Sequence, residues 1–549
     1  VAEAGAFTGF TGFWPFAALW RILQLLGSTF FLHVRFQHCL AFASPGCFTS
    51  CSLPLLSPST AIPFHCPVSA FEVPPMTRVS LPPAHAPAVS PAIFKAYDIR
   101  GIVATALTEE AVSAIGLALG ARARAAGIRE VVVGRDGRLS GPALASALAA
   151  GLCAAGVDVI DIGMVPTPVV YFATVLTGCG TGVAVTGSHN PPEYNGLKMM
   201  LGGSTLHGDD IRDLAASIAD PARYAALFAP TPGQLRTRDV VPDYIQRIAG
   251  EVKLARPLKV VVDAGNGVAG AVAPQLLRAL GVTDLVELYC EVDGHFPNHH
   301  PDPAHPENLQ DLIRAVQAHG ADVGLAFDGD GDRLGVVTPS GQMIFPDRQL
   351  MLYAADVLEQ HPGATIIYDV KCTRNLAPWI RERGGEPLMW RTGHSLVKAK
   401  MKETGARLAG EMSGHIFFND RWYGFDDGLY TAARLLEILA RVDDPGAVLE
   451  ALPDAASTPE LNIALGEGEN AGVIEALRQH GTFDGATDII TIDGLRVEYP
   501  DGFGLVRASN TTPVLVLRFE ADTPAALARI QQSIRAALLA VRPGLVVPF

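Results

Sequence analysis

A short apolar strand, a turn and an alanine- or leucine-rich helix recur three times along this chain. That alternation fixes the fold class before any motif is considered. Val131-Val132-Val133 is followed by a helical stretch from Pro142 to Ala155 and by a second strand at Val157 to Ile160. The same order returns at Leu258 to Val262, Ala271 to Leu280 and Leu285 to Tyr289, and again at Thr365 to Tyr368 and Leu376 to Arg383. Strands separated by helices of this length build βαβ units in parallel or mixed sheets. Three rounds without a strict repeat predict three related α/β domains. The C-terminal part departs from the pattern. Apolar runs at Asp488 to Ile492, Leu495 to Tyr499 and Val514 to Phe519 precede a single helix, Thr523 to Leu539, which predicts a smaller α+β domain. A length of 549 residues agrees, since roughly 150 residues make a domain.

Composition narrows the function. Apolar residues make up 49% and charged ones 18%, enough for several cores and unlike a disordered chain. The 42 basic and 56 acidic side chains give a formal charge of −14. That argues against a general nucleic-acid binder, whose affinity comes from neutralising phosphates. A few convergent cations would still suffice for one small phosphorylated ligand. Eight cysteines, with only Cys47 and Cys51 closely spaced, make no disulfide framework.

The first 75 residues do not match the rest. They hold 11 of the 24 Phe and four of the eight Cys, but only Arg21 and Arg35 as bases and Glu3 and Glu72 as acids. The apolar part from Phe13 to Val34 is interrupted by Arg21, Gln24 and His33 and lacks a basic start, so neither a spanning helix nor a signal peptide fits well. From Ser44 to Pro91 the chain is studded with Pro and Ser and reads as unpacked. The expectation is an upstream frame translated in error, with the natural start near Met76; a targeting segment and a genuine extra element are the alternatives.

Five segments carry chemistry. Thr186-Gly187-Ser188-His189-Asn190-Pro191-Pro192 follows the strand Gly182 to Val185, where a hydroxyl flanked by Gly, His and Asn can be an exposed nucleophile or a plain Ser/Asn turn. Asp328-Gly329-Asp330-Gly331-Asp332-Arg333 lies between two apolar strands, Val323 to Phe327 and Leu334 to Val337. Its alternate carboxylates repel one another unless a cation lies between them. Arg333 at the sixth position and Pro339 at the twelfth exclude an EF-hand, leaving a hard-metal site for Mg²⁺, or else a metal-free acidic turn. Gly265 to Gly270 satisfies G-x-G-x-x-G, but Glu287, at the separation a dinucleotide site wants, falls inside a strand, so a tight βα turn is the better reading. In Gly410-Glu411-Met412-Ser413-Gly414-His415 a carboxylate and a hydroxyl two apart could bond neighbouring sugar hydroxyls, or form a polar turn. Arg507-Ala508-Ser509-Asn510-Thr511-Thr512-Pro513 could cradle a phosphate, or be a solvated loop.

Taken in order after Tyr97-Asp98-Ile99-Arg100-Gly101, these segments resemble the α-D-phosphohexomutase superfamily, of the bacterial phosphomannomutase/phosphoglucomutase type. The resemblance covers residues 89 to 549. It implies four domains around a central cleft, at 89–232, 233–342, 343–454 and 455–549, after an extension over 1–88 that is unstructured or mis-translated. It implies mannose and glucose 1-phosphates interconverted with their 6-phosphates, through a phosphoserine and a hexose 1,6-bisphosphate that also serves as activator. On that resemblance Ser188 carries the phosphoryl group and joins Asp328, Asp330 and Asp332 around Mg²⁺. His189, Lys198, Arg333 and His394 stand beside the reaction, with Lys198 or His394 moving the sugar proton. Glu411 and Ser413 read sugar hydroxyls, while Arg507, Ser509, Asn510 and Thr511 grip the non-transferring phosphate. Tyr97, Arg100 and Lys371 face the cleft.

Such a substrate must bind in two opposite orientations, which suits one fixed cradle and hydroxyl readers indifferent to the flip. Met412 resembles the mannose/glucose type, whereas Gln there would suggest glucosamine. The enzyme is expected in the cytoplasm, as monomer or dimer, with a phosphorylated hexose as partner and neither nucleic acid nor membrane. A phosphoglucosamine mutase and a metal-dependent serine phosphohydrolase are the alternatives; a dinucleotide-dependent oxidoreductase and a non-catalytic binding protein are weaker rivals.

Overall fold

The computed structural model describes residues 82–466, 468–510 and 512–549. The expectations for residues 1–75, and the placement of Thr511, lie outside the described residues.

Four sheets follow one another along the chain. The first, of seven strands, runs Ile99–Ile102, Tyr194–Leu201, Gly182–Val185, Glu130–Arg135, Asp158–Met164 and Leu235–Thr237, with Ser204–Thr205 joined to Tyr194–Leu201. The second has five strands in the order Met343–Ile344, Leu334–Val337, Val323–Phe327, Lys259–Asp263 and Asp284–Leu288. The third has four: Glu386–Trp390, Thr365–Asp369, Leu408–Gly410 and Ile416–Phe418. All three are mixed, and their central strands, such as Val323–Phe327 and Gly182–Val185, are buried at every position. That is why these strands read as continuous apolar runs and not as alternating ones. The fourth sheet is antiparallel and carries the helices Glu469–His480 and Pro524–Val541.

One design principle positions the functional loops. Each is the connection between two neighbouring antiparallel strands. Residues 186–193 join Gly182–Val185 to Tyr194–Leu201, and 328–333 join Val323–Phe327 to Leu334–Val337. Residues 411–415 join Leu408–Gly410 to Ile416–Phe418, and 509–513 join Gly502–Ala508 to Val514–Ala521. In the first three sheets the incoming strand is parallel to its other neighbour, so the loops leave at the carboxyl ends, where α/β sheets bind ligands.

A contiguous apolar core runs through the first three domains, joining residues such as Tyr171, Leu325 and Leu429. The fourth domain has its own core around Val497, Phe519 and Ile530. Among the described residues no helix is long and apolar enough to cross a membrane.

Two expectations need correction. Pro82 to Val89 were read as part of an unpacked stretch, yet Pro82 is buried, Tyr224 Oη donates to Pro83 O at 3.0 Å, and Ala86 and Val89 pack on the first domain's core. Short apolar residues suffice for that contact even in a Pro-rich segment. Gly502–Ala508, read as a strand nowhere and as loop from Arg507, is a full strand. Its Gly502 and Gly504 dilute the apolar signal because Ile530 and Ile534 of the last helix press against them.

Candidate active site

Ser188 stands at the tip of the first loop with φ +51°, a left-handed conformation that a residue with a Cβ adopts only when its surroundings impose it. Its Oγ donates to Asp328 Oδ2 at 3.4 Å and lies 3.2 Å from His189 Nδ1. The first two domains meet here closely: a Cβ on Gly329 would come within 2.3 Å of Ser188 O. Asp328, Asp330 and Asp332 are all buried, and one oxygen from each falls within 4.8 Å of the others. Burial and then the charges of Asp332 and Asp330 push the Asp328 carboxyl well above its usual range. Asp330 Oδ1 has no hydrogen-bond partner, and Asp332 Oδ1 has only His415 Nε2, at 3.4 Å, near it. A buried, all-oxygen donor set with unclaimed carboxylate oxygens fits a small hard cation such as Mg²⁺.

Lys198, on the strand leaving the Ser188 loop, is the cation the chain itself supplies. Its Nζ donates to Asp330 Oδ2 at 2.7 Å and also to Asp332 Oδ2. Burial alone would lower this ammonium, but Asp330 and Asp332 outweigh it and hold the pKa above the ordinary lysine value. Arg333 donates its main-chain N–H to Asp328 Oδ1 at 3.2 Å, and its Nε lies 3.3 Å from His415 Nε2.

His415, which the sequence reading left out of the site, is central to it. Its Nδ1 lies 2.9 Å from Glu411 Oε2 and its Nε2 3.4 Å from Asp332 Oδ1. Burial works against its charge, Asp332 favours it and Arg333 opposes it; the balance lifts the imidazole to about 9. His394 is the opposite case. It is buried, both ring nitrogens lack hydrogen-bond partners, and burial followed by Lys398 and Lys198 drives its pKa well below the ordinary value. The two rings lie 5.6 Å apart, and Tyr97 packs edge-on against His394 at 5.2 Å.

The remaining expected residues form two groups. Glu411 accepts from Gly393 N at 2.5 Å, and Ser413 Oγ lies 3.2 Å from His415 Nδ1, which also meets Glu411, so the two expected hydroxyl readers share His415 as a neighbour. Farther along, Lys371 Nζ donates to Glu460 Oε2 at 2.9 Å and Arg507 Nε to Asp493 Oδ2 at 3.0 Å, both cations nearly buried. Arg507 Nη2 has no partner. Ser509 and Asn510 are half-buried on the adjoining loop. Arg100 meets the first loop: it donates to Asp98 Oδ2 at 2.7 Å and to Asn190 Oδ1.

Other residues that the sequence reading passed over support these. Thr167 Oγ1 donates to Asp330 Oδ2 at 2.5 Å while its N–H meets Asp330 O at 2.9 Å. Buried Asp426 accepts from Lys398 Nζ at 2.7 Å and lies 3.5 Å from His394 Nδ1. Arg138 bonds to the main chain of the Ser188 loop. Only Arg138, in the polar run Arg135-Asp136-Gly137-Arg138 directly after a strand, had a local signal that could have found it. The arrangement joins a buried carboxylate centre, a serine hydroxyl beside it and two imidazoles of opposite charge preference, with a separate pair of cations farther along.

Four family models match the chain in order. They are phosphoglucomutase/phosphomannomutase alpha/beta/alpha domains I, II and III at residues 91–224, 242–341 and 345–455, and the C-terminal domain at 437–537. Among similar curated proteins, a phosphoglucomutase of Neisseria gonorrhoeae is 59% identical over 447 residues, covering 81% of this chain and 96% of that one. A phosphomannomutase/phosphoglucomutase of Pseudomonas aeruginosa is 55% identical over 467 residues, covering 85% and 99%. Among solved structures, a phosphoglucomutase/phosphomannomutase family protein of Burkholderia thailandensis superposes with a TM-score of 0.79 at 62% identity, covering 84% of this chain and all of that one.

Proposed function

The chain belongs to the phosphoglucomutase/phosphomannomutase family, and on that premise we propose that Ser188 carries the phosphoryl group in an isomerase acting on hexose phosphates. The enzyme interconverts hexose 1-phosphate and hexose 6-phosphate. The observation that supports Ser188 as carrier is its Oγ, held at 3.4 Å from the carboxylate of Asp328 in a buried acidic centre.

The sugar hydroxyl oxygen attacks phosphorus on phosphorylated Ser188; the new P–O bond forms as the P–Oγ bond breaks, and the hydroxyl proton passes to a neighbouring base. In the return step the other phosphate goes back to Oγ, so atoms balance with no phosphate released. Asp328, Asp330 and Asp332, with Ser188, would hold Mg²⁺, which when bound supplies positive charge to the transferring group. Lys198 and Arg333 add fixed positive charge from the protein. His394, uncharged by virtue of its burial, is suited to accept the proton. His415, 2.9 Å from Glu411 and 3.4 Å from Asp332, holds the Glu411 loop against the aspartate centre. Glu411 and Ser413 bind sugar hydroxyls, and Lys371, Arg507, Ser509 and Asn510 the distant phosphate. All these residues come from one chain, assigned here as a monomer or a dimer. Mannose and glucose phosphates are the assigned substrates, a hexose 1,6-bisphosphate the activator, and the cytoplasm the compartment, because hexose phosphates are intracellular metabolites.

The test is a coupled assay of the full-length protein with Mg²⁺ and a trace of glucose 1,6-bisphosphate, comparing mannose, glucose and glucosamine 1-phosphates while inorganic phosphate is followed. Conversion of the first two without phosphate release supports the reading. Phosphate release without isomer overturns it, and activity on glucosamine 1-phosphate alone overturns the sugar assignment.

A further inference from the structure

We propose that Arg138 is a positioning residue for phosphoryl transfer, setting the shape of the Ser188 loop from behind so that Oγ stays on the aspartate centre. The inference rests on the reading of Ser188 as the phosphoryl carrier.

A guanidinium offers five N–H donors in a rigid planar fork, and here each has an acceptor. Nε donates to Asp136 Oδ2 at 3.2 Å, Nη1 to Pro191 O at 2.6 Å and Tyr194 O at 3.0 Å, and Nη2 to Ser188 O at 2.8 Å and Asn190 O at 2.5 Å. Four of the five are main-chain carbonyls from one short segment, so the plane of the fork dictates how that segment curves. The partner carboxylate extends the hold to the other side of the serine: Asp136 Oδ2 also accepts from Thr186 Oγ1 at 2.8 Å and from Gly187 N at 3.1 Å. The pair therefore brackets Ser188 on both sides, which is what a left-handed non-glycine residue needs to persist.

The neighbours leave no slack. A Cβ on Gly187 would come within 2.4 Å of Arg138 Cζ, so glycine is needed there for the guanidinium to lie flat against the turn. From the second domain, the Phe296 ring covers the guanidinium at 5.2 Å, itself at φ +52°. The Arg138 side chain is fully buried, and its bonds reach Asp136 and the main chain without touching the aspartate triad. Its hydrogen bonds act through the loop, while its charge is also felt at Asp330. A lysine could keep the charge but not the fork.

The experiment compares full-length wild type, Arg138→Met and Arg138→Lys in steady-state turnover with Mg²⁺ and glucose 1,6-bisphosphate, together with peptide mass analysis for phosphate on Ser188. Arg138→Met is expected to lower kcat about 100-fold, the scale of a misplacement of about 1 Å. KM for the hexose phosphate should stay within about threefold, because Lys371, Glu411 and Arg507 lie on other domains. Arg138→Lys should remain close to Arg138→Met, as only the fork satisfies four carbonyls at once. Near-normal kcat in folded Arg138→Met, or full recovery by lysine, overturns the proposal. Should Arg138→Met fail to fold, Gly187→Ala displaces the guanidinium instead: a fall in kcat at constant KM supports the role, and unchanged kcat overturns it. Wild type without phosphate on Ser188 would sink the carrier assignment. Phosphate on Ser188 with unaltered turnover in the variants would sink only the role of Arg138.

Discussion

The loops of the first three domains and the loop of the fourth are built on the same device, a connection between antiparallel strands, but they are held differently. Ser188, the three aspartates, Glu411 and His415 are buried within their loops, which are bonded across domain boundaries by Lys198 to Asp330, Thr167 to Asp330 and His415 to Asp332. They also sit over one shared apolar core. The loop after Arg507 is half-open to solvent and is braced within its own domain, by Ser509 N donating to Val514 O at 3.0 Å and Asn470 Nδ2 to Ser509 O at 3.1 Å. Its domain has a separate core and meets the third through a small apolar cluster of Val370, Phe503 and Leu505 and through polar groups. There Arg496 donates to the carbonyls of Val370 and Cys372, and Arg518 to Asp347 and to the carbonyl of Lys371. Bond making needs reacting atoms placed to a fraction of an ångström. Gripping a phosphate that arrives in two orientations needs charge and donors more than rigidity.

If that contrast is right, damage to the Ser188 and Asp328 loops should appear in kcat and damage to the outer one in KM. The largest effect is expected for Ser188→Ala and Asp330→Ala, each lowering kcat by about 10³-fold or more with the fold intact, read by steady-state assay and circular dichroism. Arg507→Met should raise KM for hexose phosphate by about 10- to 100-fold while kcat changes far less, in keeping with about 1.5–3 kcal/mol for a charged hydrogen bond. An equal loss in kcat would erase the distinction. Thr167→Val, which removes a buried hydroxyl from Asp330, should raise the Mg²⁺ concentration for half-maximal activity about 10-fold.

The smallest effect concerns Asp427, which caps the helix Gly428–Leu439 next to the Asp328–Arg333 loop and accepts from Tyr244 Oη at 2.8 Å. Burial pushes its carboxyl up to about 7 against the bonds it accepts. A raised carboxyl stabilises the fold below its unfolded value, near 4, and that contribution is lost as pH rises through about 7. Asp427→Asn should therefore flatten the fall in Tm between pH about 4 and 7 by a few degrees, measured by calorimetry. A parallel fall in both proteins would show that Asp427 does not titrate in this range.

Much of the inner architecture was legible in the sequence because buried parallel strands read as unbroken apolar runs: Val323 to Phe327 and Val131 to Val133 needed no structure to be found. The acidic loop was equally plain, since three carboxylates at alternate positions have few stable uses. Gly502–Ala508 escaped because glycines required by a close helix weaken the very signal that marks a strand. His415 was in view at the end of the Glu411 loop, but nothing in the string Ser413-Gly414-His415 says that its ring turns toward Asp332 of another domain.

What the sequence determined by itself is the set of local elements and the chemical type of each loop. Strand and helix periodicity, hydroxyl, carboxylate and guanidinium content are properties of neighbouring residues. Tertiary structure alone decided the partnerships: that Lys198 bridges Asp330 and Asp332, that His394 and His415 take opposite charge preferences 5.6 Å apart, and that Arg138 closes its fork on the carbonyls of the Ser188 loop. Those outcomes depend on burial and on charges brought together from distant parts of the chain. Electrostatic energy in a buried site falls off with distance in space and not with separation along the chain.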